Sequence, residues 1–224
     1  GVLASSVGMD KEFTKNVLAA AGLPVAPEVI LKGRTELSEE EKQHLGLPVF
    51  VKPARGGSSI GVSKVNSWEE FPAAVDLALE DDEKILVEPE IVGQEVEIGV
   101  LHYADGTLLA SVPALLAGID DSDEGFYGFD TKYLDNVVTA EIPAPFTPEL
   151  TEKLRDMAVR AFEALNCEGL SRVDFFVTED SVYINEINTL PGFTPISMYP
   201  QVLAASGVEY PALLEALIEQ ALAK

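Results

Sequence analysis

Cysteine is nearly missing from this 224-residue chain: Cys167 stands alone, so no internal disulfide can form. No Asn-x-Ser/Thr acceptor occurs, and no basic stretch leads into a short apolar run. With the lone thiol, these absences point to a reducing, cytoplasmic setting. No apolar run reaches the roughly 18 residues that a membrane-crossing helix needs, so no membrane is expected as a partner. Basic residues are scarce as well. Fifteen Lys and Arg stand against 38 Asp and Glu, a formal net charge of −23, and so acidic a surface repels a phosphate backbone. Nucleic acid is therefore excluded as an expected partner. Histidine occurs only as His44 and His102, which limits the general bases on offer.

The remainder has a globular balance. Hydrophobic residues make up 47% and charged residues 24%, near the average for folded domains, so a packed interior is expected. The length suits one large or two small cores. The opening Gly1-Val2-Leu3-Ala4-Ser5-Ser6 is small and apolar, without Met or a basic leader end; the expectation is a piece of a longer protein.

Along the chain, Asp10 caps a helical pattern carrying Phe13, Val17, Leu18 and Ala21, stopped by Gly22 and Pro24. A β-rich run follows at 28–31. Ser38 with Glu41, and Ser67 with Glu70, are capping boxes that open helices ending at Gly46 and Leu79. Strands are expected at 49–51, 61–65 and 85–87, the first two as a hairpin with a long tip. Beyond Gly93 longer alternating strands are expected at 95–103 and 107–114, and a lobe boundary is placed there. Residues 118–133 mix acids, glycines and aromatics without a period, as a lid or a disordered segment would. Thr147-Pro148 opens an amphipathic helix closed by Gly169. Strands at 170–177 and 182–188, a Pro- and Gly-rich bend and two helices complete the chain.

The last strand pair is the most informative piece. A three-residue turn centred on Asp180 would set Asp174 opposite Glu186 and place Arg172, Asp174, Glu186 and Asn188 on one face. Like charges facing each other are destabilising unless a cation lies between them. Hard oxygen donors of this type suit magnesium bound with phosphates; a solvated acidic sheet face is the plainer alternative. The second piece is Lys52-Pro53-Ala54-Arg55-Gly56-Gly57-Ser58-Ser59-Ile60-Gly61. Glycines let backbone N–H groups approach an anion and serines add donors, so a phosphate flap and a plain hairpin tip are both open. Gly57-x-Ser59-x-Gly61 matches a hydrolase nucleophile elbow in form, but a strand pattern rather than a helix follows it. Residues 120–131 have the glycine of a calcium loop, with threonine where its bidentate glutamate belongs.

Gly8-Met9-Asp10-Lys11, Leu47-Pro48-Val49-Phe50-Val51-Lys52-Pro53, the flap, Lys132-Tyr133, Arg172-Val173-Asp174 and the run Asn185 through Gly192 occur in one order and spacing. In these blocks the chain resembles the D-alanine–D-alanine ligase family over its whole length. The resemblance implies an α+β ATP-grasp fold with ATP between two lobes, a central one at 1–93 and a C-terminal one at 94–224. It implies that Lys11 and Lys52 contact ATP phosphates under a flap carrying Ser58 and Ser59. Glu88, Pro89 and Ile91 would read adenine, with proline where relatives often carry lysine, and Glu95 would hold the ribose. Asp174, Glu186 and Asn188 match ligands of Mg2+ (or Mn2+). Arg172 and the Gly192 N–H match an oxyanion pair, Ser197 and Met198 the clamp on a second D-alanine, and Lys132 a second lysine beside the phosphates with Lys52; Lys132 and Tyr133 end the lid, with Phe129 where some members have tyrosine.

The implied activity is ligation of two D-alanines through a D-alanyl phosphate, a step of peptidoglycan precursor synthesis that needs positioning and charge neutralisation. The family's preceding domain, which holds the first alanine's ammonium, has no counterpart in the chain, so weak activity alone is expected. Members are often homodimers. The alternatives are another ATP-grasp carboxylate–amine ligase and a non-catalytic nucleotide-binding module.

Overall fold

The structure is a computed structural model that describes residues 1–117, 139–194 and 196–223. In chain order its elements begin with α1 (Val2–Gly8), α2 (Lys11–Ala20), β1 (Val29–Lys32), α3 (Glu39–Leu45), β2 (Val49–Pro53) and β3 (Ser63–Val65). Next come α4 (Phe71–Leu79), β4 (Lys84–Pro89), β5 (Gln94–His102), β6 (Leu108–Ala110), β7 (Ala114–Ala117) and β8 (Thr139–Glu141). The chain continues with α5 (Pro148–Ala164), β9 (Leu170–Val177), β10 (Val182–Asn188), α6 (Met198–Ala205) and α7 (Tyr210–Leu222). Among the described residues no helix is long and apolar enough to cross a membrane.

Local signals account for most element ends. The Asp10 carboxylate accepts from the Phe13 N–H and caps α2, and Thr147 does the same for α5 through the Leu150 N–H. Both halves of the Ser38 and Glu41 capping box form, and Gly46 leaves α3 at φ 69°, where a side chain would be strained. The Ser67 and Glu70 box is only half made. Glu70 accepts from the Ser67 N–H, yet α4 begins at Phe71 with Pro72 in its first turn, because a proline ring is preset for that turn. Residues 2–8, read from sequence only as small and apolar, form α1.

The strands build two sheets. The first has the order β1-β4-β2-β3 and the second β10-β9-β5-β7-β8, with β6 also on β5. The run expected as one strand at 107–114 is broken. Pro113 has no N–H to give a ladder, and Ser111 takes over at the break: its N–H donates to the Gly99 carbonyl at 2.8 Å and its hydroxyl accepts from the Gly99 N–H at 2.9 Å.

The first sheet carries one core, Leu31, Val49, Val51, Ile85 and Val87 against Phe71 and Val75 of α4. The second sheet is covered on both faces. Val96, Ile98, Val100, Val173 and Phe175 face Leu154, Ala158 and Phe162 of α5. On the opposite side Leu101 packs with Tyr199, Leu203 and Leu213 of α6 and α7, so β5 is buried from Val96 to Leu101.

The N-terminal helices bridge the two sheets. Ala4 and Leu18 lie in the second sheet's core, because the apolar stripe of α2 meets β10 and α5. Its polar residues reach back to the first sheet. Lys84 of β4 donates to Asp10 and Glu12, and the Lys11 N–H donates to the Ala54 carbonyl at 2.9 Å. Helix α2 thus joins one sheet by apolar packing and the other by buried charge.

Candidate active site

The strand pair β9 and β10 sets Asp174 opposite Glu186, Val173 opposite Ile187 and Arg172 opposite Asn188. The connection differs from the expected three-residue turn. The Thr178 N–H donates to the Ser181 carbonyl and the Ser181 N–H to the Thr178 hydroxyl, leaving Glu179 and Asp180 as a two-residue loop. Near the loop Val177 therefore pairs with Val182, and a register shift between Ile184 and Glu186 restores the pairing at the acids.

On its other side β9 pairs with β5, where Glu97 stands opposite Asp174 and Gly99 opposite Arg172. Glu97, Asp174 and Glu186 consequently form a row across three neighbouring strands. The Arg172 guanidinium bonds both Asp174 oxygens at 2.7 and 2.6 Å and lies 3.1 Å from Glu97. The Asn188 amide donates to Asp174 at 3.0 Å and to Glu186 at 3.3 Å. Burial alone would ease the proton off Arg172, but Asp174, Glu97 and Glu186 outweigh it and hold its pKa above the ordinary value. Glu95, Glu97, Asp174, Asn185 and Glu186 line one cleft with Leu116 on its wall. Among the described residues no three His, Cys, Asp or Glu side chains gather into a closed metal cage. Two carboxylates and an amide nevertheless make the open, hard-oxygen set that suits a magnesium ion sharing its coordination with phosphates.

The flap joins β2 to β3, which pair antiparallel. Ser58 and Ser59 sit at φ 53° and 58°, consecutive left-handed residues without glycine's freedom, a strain that marks functional loops. Gly56 approaches Pro53 so closely that a Cβ would lie 2.6 Å from its ring. The Lys11 ammonium donates to the Gly56 carbonyl at 2.6 Å, tying α2 to the flap. A strand rather than the elbow's helix follows Ser59, and His102 packs against Phe162 at 6.0 Å between ring centroids.

At the far end of the first sheet Glu88 is buried and accepts from Lys15 at 2.9 Å and from Lys52. Lys15, also buried, lies 2.9 Å from Glu28. Burial raises the Glu88 carboxyl, but Lys52 and Lys15 overcome it and hold it down at about 2. Next to it Pro89 pairs with Val49, the Glu90 N–H donates to the Pro48 carbonyl at 2.9 Å, and Ile91 is half-buried.

The bend after β10 brings Gly192 and Ser197 together: a Cβ on Gly192 would lie 2.9 Å from the Ser197 hydroxyl. Ser197 occupies the N-cap position of α6 without a side-chain cap bond. Its hydroxyl accepts from the Thr194 N–H at 3.0 Å instead, with Met198 opening the helix. Lys132, Tyr133 and Phe129 lie outside the described residues. Two charged members, Glu97 and Lys15, lie outside the sequence expectation. Glu97 was signalled by its alternation with Glu95 along a strand, whereas nothing local marks Lys15.

The family described as "D-ala D-ala ligase C-terminus" matches residues 17–219. The D-alanine–D-alanine ligase of Corynebacterium efficiens is 66% identical over 222 residues, 99% of this chain and 62% of that protein. The solved structure of the D-alanine–D-alanine ligase from Coxiella burnetii superposes with a TM-score of 0.85 at 36% identity, over 99% of this chain and 59% of that one. That of the Bacillus anthracis ligase complexed with ATP gives 0.81 at 27%, over 98% and 68%. The chain thus spans about three fifths of the length of the curated relatives it matches, 62% in the first case. Its α+β arrangement is the ATP-grasp fold of these ligases, and the chain belongs to the D-ala D-ala ligase C-terminal family.

Proposed function

We propose that this chain is the nucleotide-binding part of a cytoplasmic ligase that joins two D-alanines at the expense of ATP. The observation that carries the proposal is the convergence of Asp174, Glu186 and Asn188 within 3.0 and 3.3 Å on one face, beside a strained Gly- and Ser-rich flap. ATP in a related ligase supports the same reading. Two lobes, 1–93 and 94–224, would hold the nucleotide, with α2 braced to both.

In this reading Asp174, Glu186 and Asn188 hold Mg2+ or Mn2+. When bound, the ion supplies charge neutralisation across the phosphates. Lys11, Lys52 and the Ser58 and Ser59 flap hold the phosphate chain. Glu88, Pro89 and Ile91 meet adenine, and Glu95 the ribose. ATP phosphorylates one D-alanine carboxylate, and the amine of a second D-alanine attacks the acyl phosphate and expels phosphate. Arg172, kept charged and fixed by Asp174 and Glu97, steadies the oxyanion with the Gly192 N–H. Ser197 and Met198 receive the second carboxylate beside Gly192. Lys132 and Tyr133 belong to the lid that excludes water, and Tyr133 favours an amine acceptor over a hydroxy acid. The first alanine's ammonium, in this reading, is held by a further domain of the whole protein, which works as a homodimer.

The test is thermal unfolding of the chain with and without ATP and magnesium. Binding to the folded state raises the melting temperature by mass action, and Glu186→Gln is expected to remove most of the rise. A wild-type chain that melts at one temperature under both conditions overturns the proposal. Phosphate release by the whole protein with D-alanine then reads the acceptor, and light scattering reads the dimer.

A further inference from the structure

Lys15 is buried in α2 at 4% exposure, and none of the roles above uses it. Its ammonium bonds Glu88 Oε2 at 2.9 Å across a separation of 73 residues, while Lys52 bonds the other oxygen, Oε1. Lys15 also lies 2.9 Å from Glu28. The two lysines are not equivalent. Lys52 stands on β2 at the root of the flap, whereas Lys15 is packed in a helix whose neighbour Leu18 is part of the second core. A Lys52 that turns to phosphate releases Oε1, and the buried Glu88 charge then keeps Lys15 as its counterion. A buried carboxylate with no counterion is costly and takes up a proton instead.

We propose that Lys15 is the positioning residue that keeps Glu88 an acceptor-only carboxylate toward the nucleobase, and thereby selects a base presenting an exocyclic amine over one presenting a carbonyl at the same place. This rests on the reading above in which Glu88 meets adenine. An ionised Glu88 accepts from an amine and repels a carbonyl oxygen. A protonated Glu88, the state favoured without Lys15, donates to a carbonyl and loses the distinction. The low pKa of Glu88, set by Lys52 and Lys15 against burial, agrees with this.

The experiment compares the affinities of the chain for magnesium ATP and magnesium ITP by calorimetry, ITP carrying a carbonyl where ATP has its amine. Wild type is expected to prefer ATP by about tenfold or more, the scale of one hydrogen bond to a charged group. Lys15→Met is expected to shrink that preference several-fold, the part read by Glu88, and Lys15→Arg, which keeps the charge, to restore it. Circular dichroism checks the fold. Should Lys15→Met not fold, Lys15→Gln, which keeps a donor on Glu88 without its charge, supplies the same comparison. A neutral variant that keeps the wild-type ratio, even with both affinities lowered, makes Lys15 merely structural and overturns the inference. A wild type that binds both triphosphates equally overturns it too, while leaving the nucleotide reading intact. A wild type that binds neither overturns both.

Discussion

Lys84 donates to both carboxylate oxygens of Asp10, at 2.7 and 2.6 Å, and so joins the central strand β4 of one sheet to the cap of a helix packed on the other. Glu12 accepts from the same ammonium at 2.7 Å, and the Phe13 ring covers it at 4.9 Å. Lys84→Met leaves two carboxylates without their cation in a mostly buried place. The expected loss of stability is about 3 kcal/mol, the scale for breaking a buried pair on one side, read as a lowered midpoint in urea. The double variant with Asp10→Asn is expected to recover part of it; an unchanged midpoint in Lys84→Met contradicts the brace.

Gly99 lies on β5 opposite Arg172, beneath α6. A Cβ there would meet Leu203 at 2.5 Å and the Tyr199 ring at 3.1 Å. Gly99→Ala is therefore expected to cost about 1–3 kcal/mol through overpacking and to displace the helix that follows Ser197. Thermal melting checks the first effect, and, in the function proposed above, weaker binding of the second D-alanine by the whole protein checks the other.

The Glu88 carboxyl, whose ordinary value is 4.5, is held at about 2 in the folded chain. A carboxyl depressed on folding contributes stability above its unfolded pKa and loses it as pH falls through the folded one. The chain is thus expected to lose stability between pH 4.5 and about 2 partly through this group. Glu88→Gln should flatten that limb in denaturant titrations at several pH values. Lys15 runs the other way: burial lowers its pKa, but Glu88 and Glu28 raise it above 10.5, so its contribution is lost only as alkali passes that value.

Burial pushes the Cys167 thiol up to about 11 from 9.0, and the residue sits in the second core. At pH 8 its thiolate fraction, and hence its alkylation by iodoacetamide, is expected to be about two orders of magnitude below that of an ordinary thiol. Mass spectrometry of labelled protein before and after denaturation measures the contrast. Labelling at an ordinary rate in the folded chain would refute the burial.

The pairing of Asp174 with Glu186 was legible in advance, though through a different route. A turn one residue shorter than expected displaces the strands, and the irregularity at Asn185 puts them back. Alternation says which residues share a face, but a bulge changes the count without changing the pattern. The broken strand at 107–114 failed for a related reason. Apolar residues continue on both sides of Ser111, and the lack of an N–H on Pro113 with the substitute bonds from Ser111 shows where the ladder stops.

Glu97 was within reach of the sequence, because a strand that alternates Glu95 and Glu97 puts both on one side. Lys15 was not. Nothing within a few residues distinguishes a lysine on a solvated helix face from one buried against a carboxylate 73 positions away.

The amino-acid order alone determined the caps at Asp10, Ser38 and Thr147, the two strand pairs, the flap's glycines and serines, and the motif blocks that point to the family. Each depends on hydrogen bonds, dihedral preferences or alternation within a handful of neighbours. Tertiary structure alone decided that α2 packs on the second sheet, that Lys15 and Lys52 divide the oxygens of Glu88, and that Arg172 lies between Glu97 and Asp174. Those outcomes depend on which distant charges are buried together, since a buried ion is tolerated only where its counterion is brought to it.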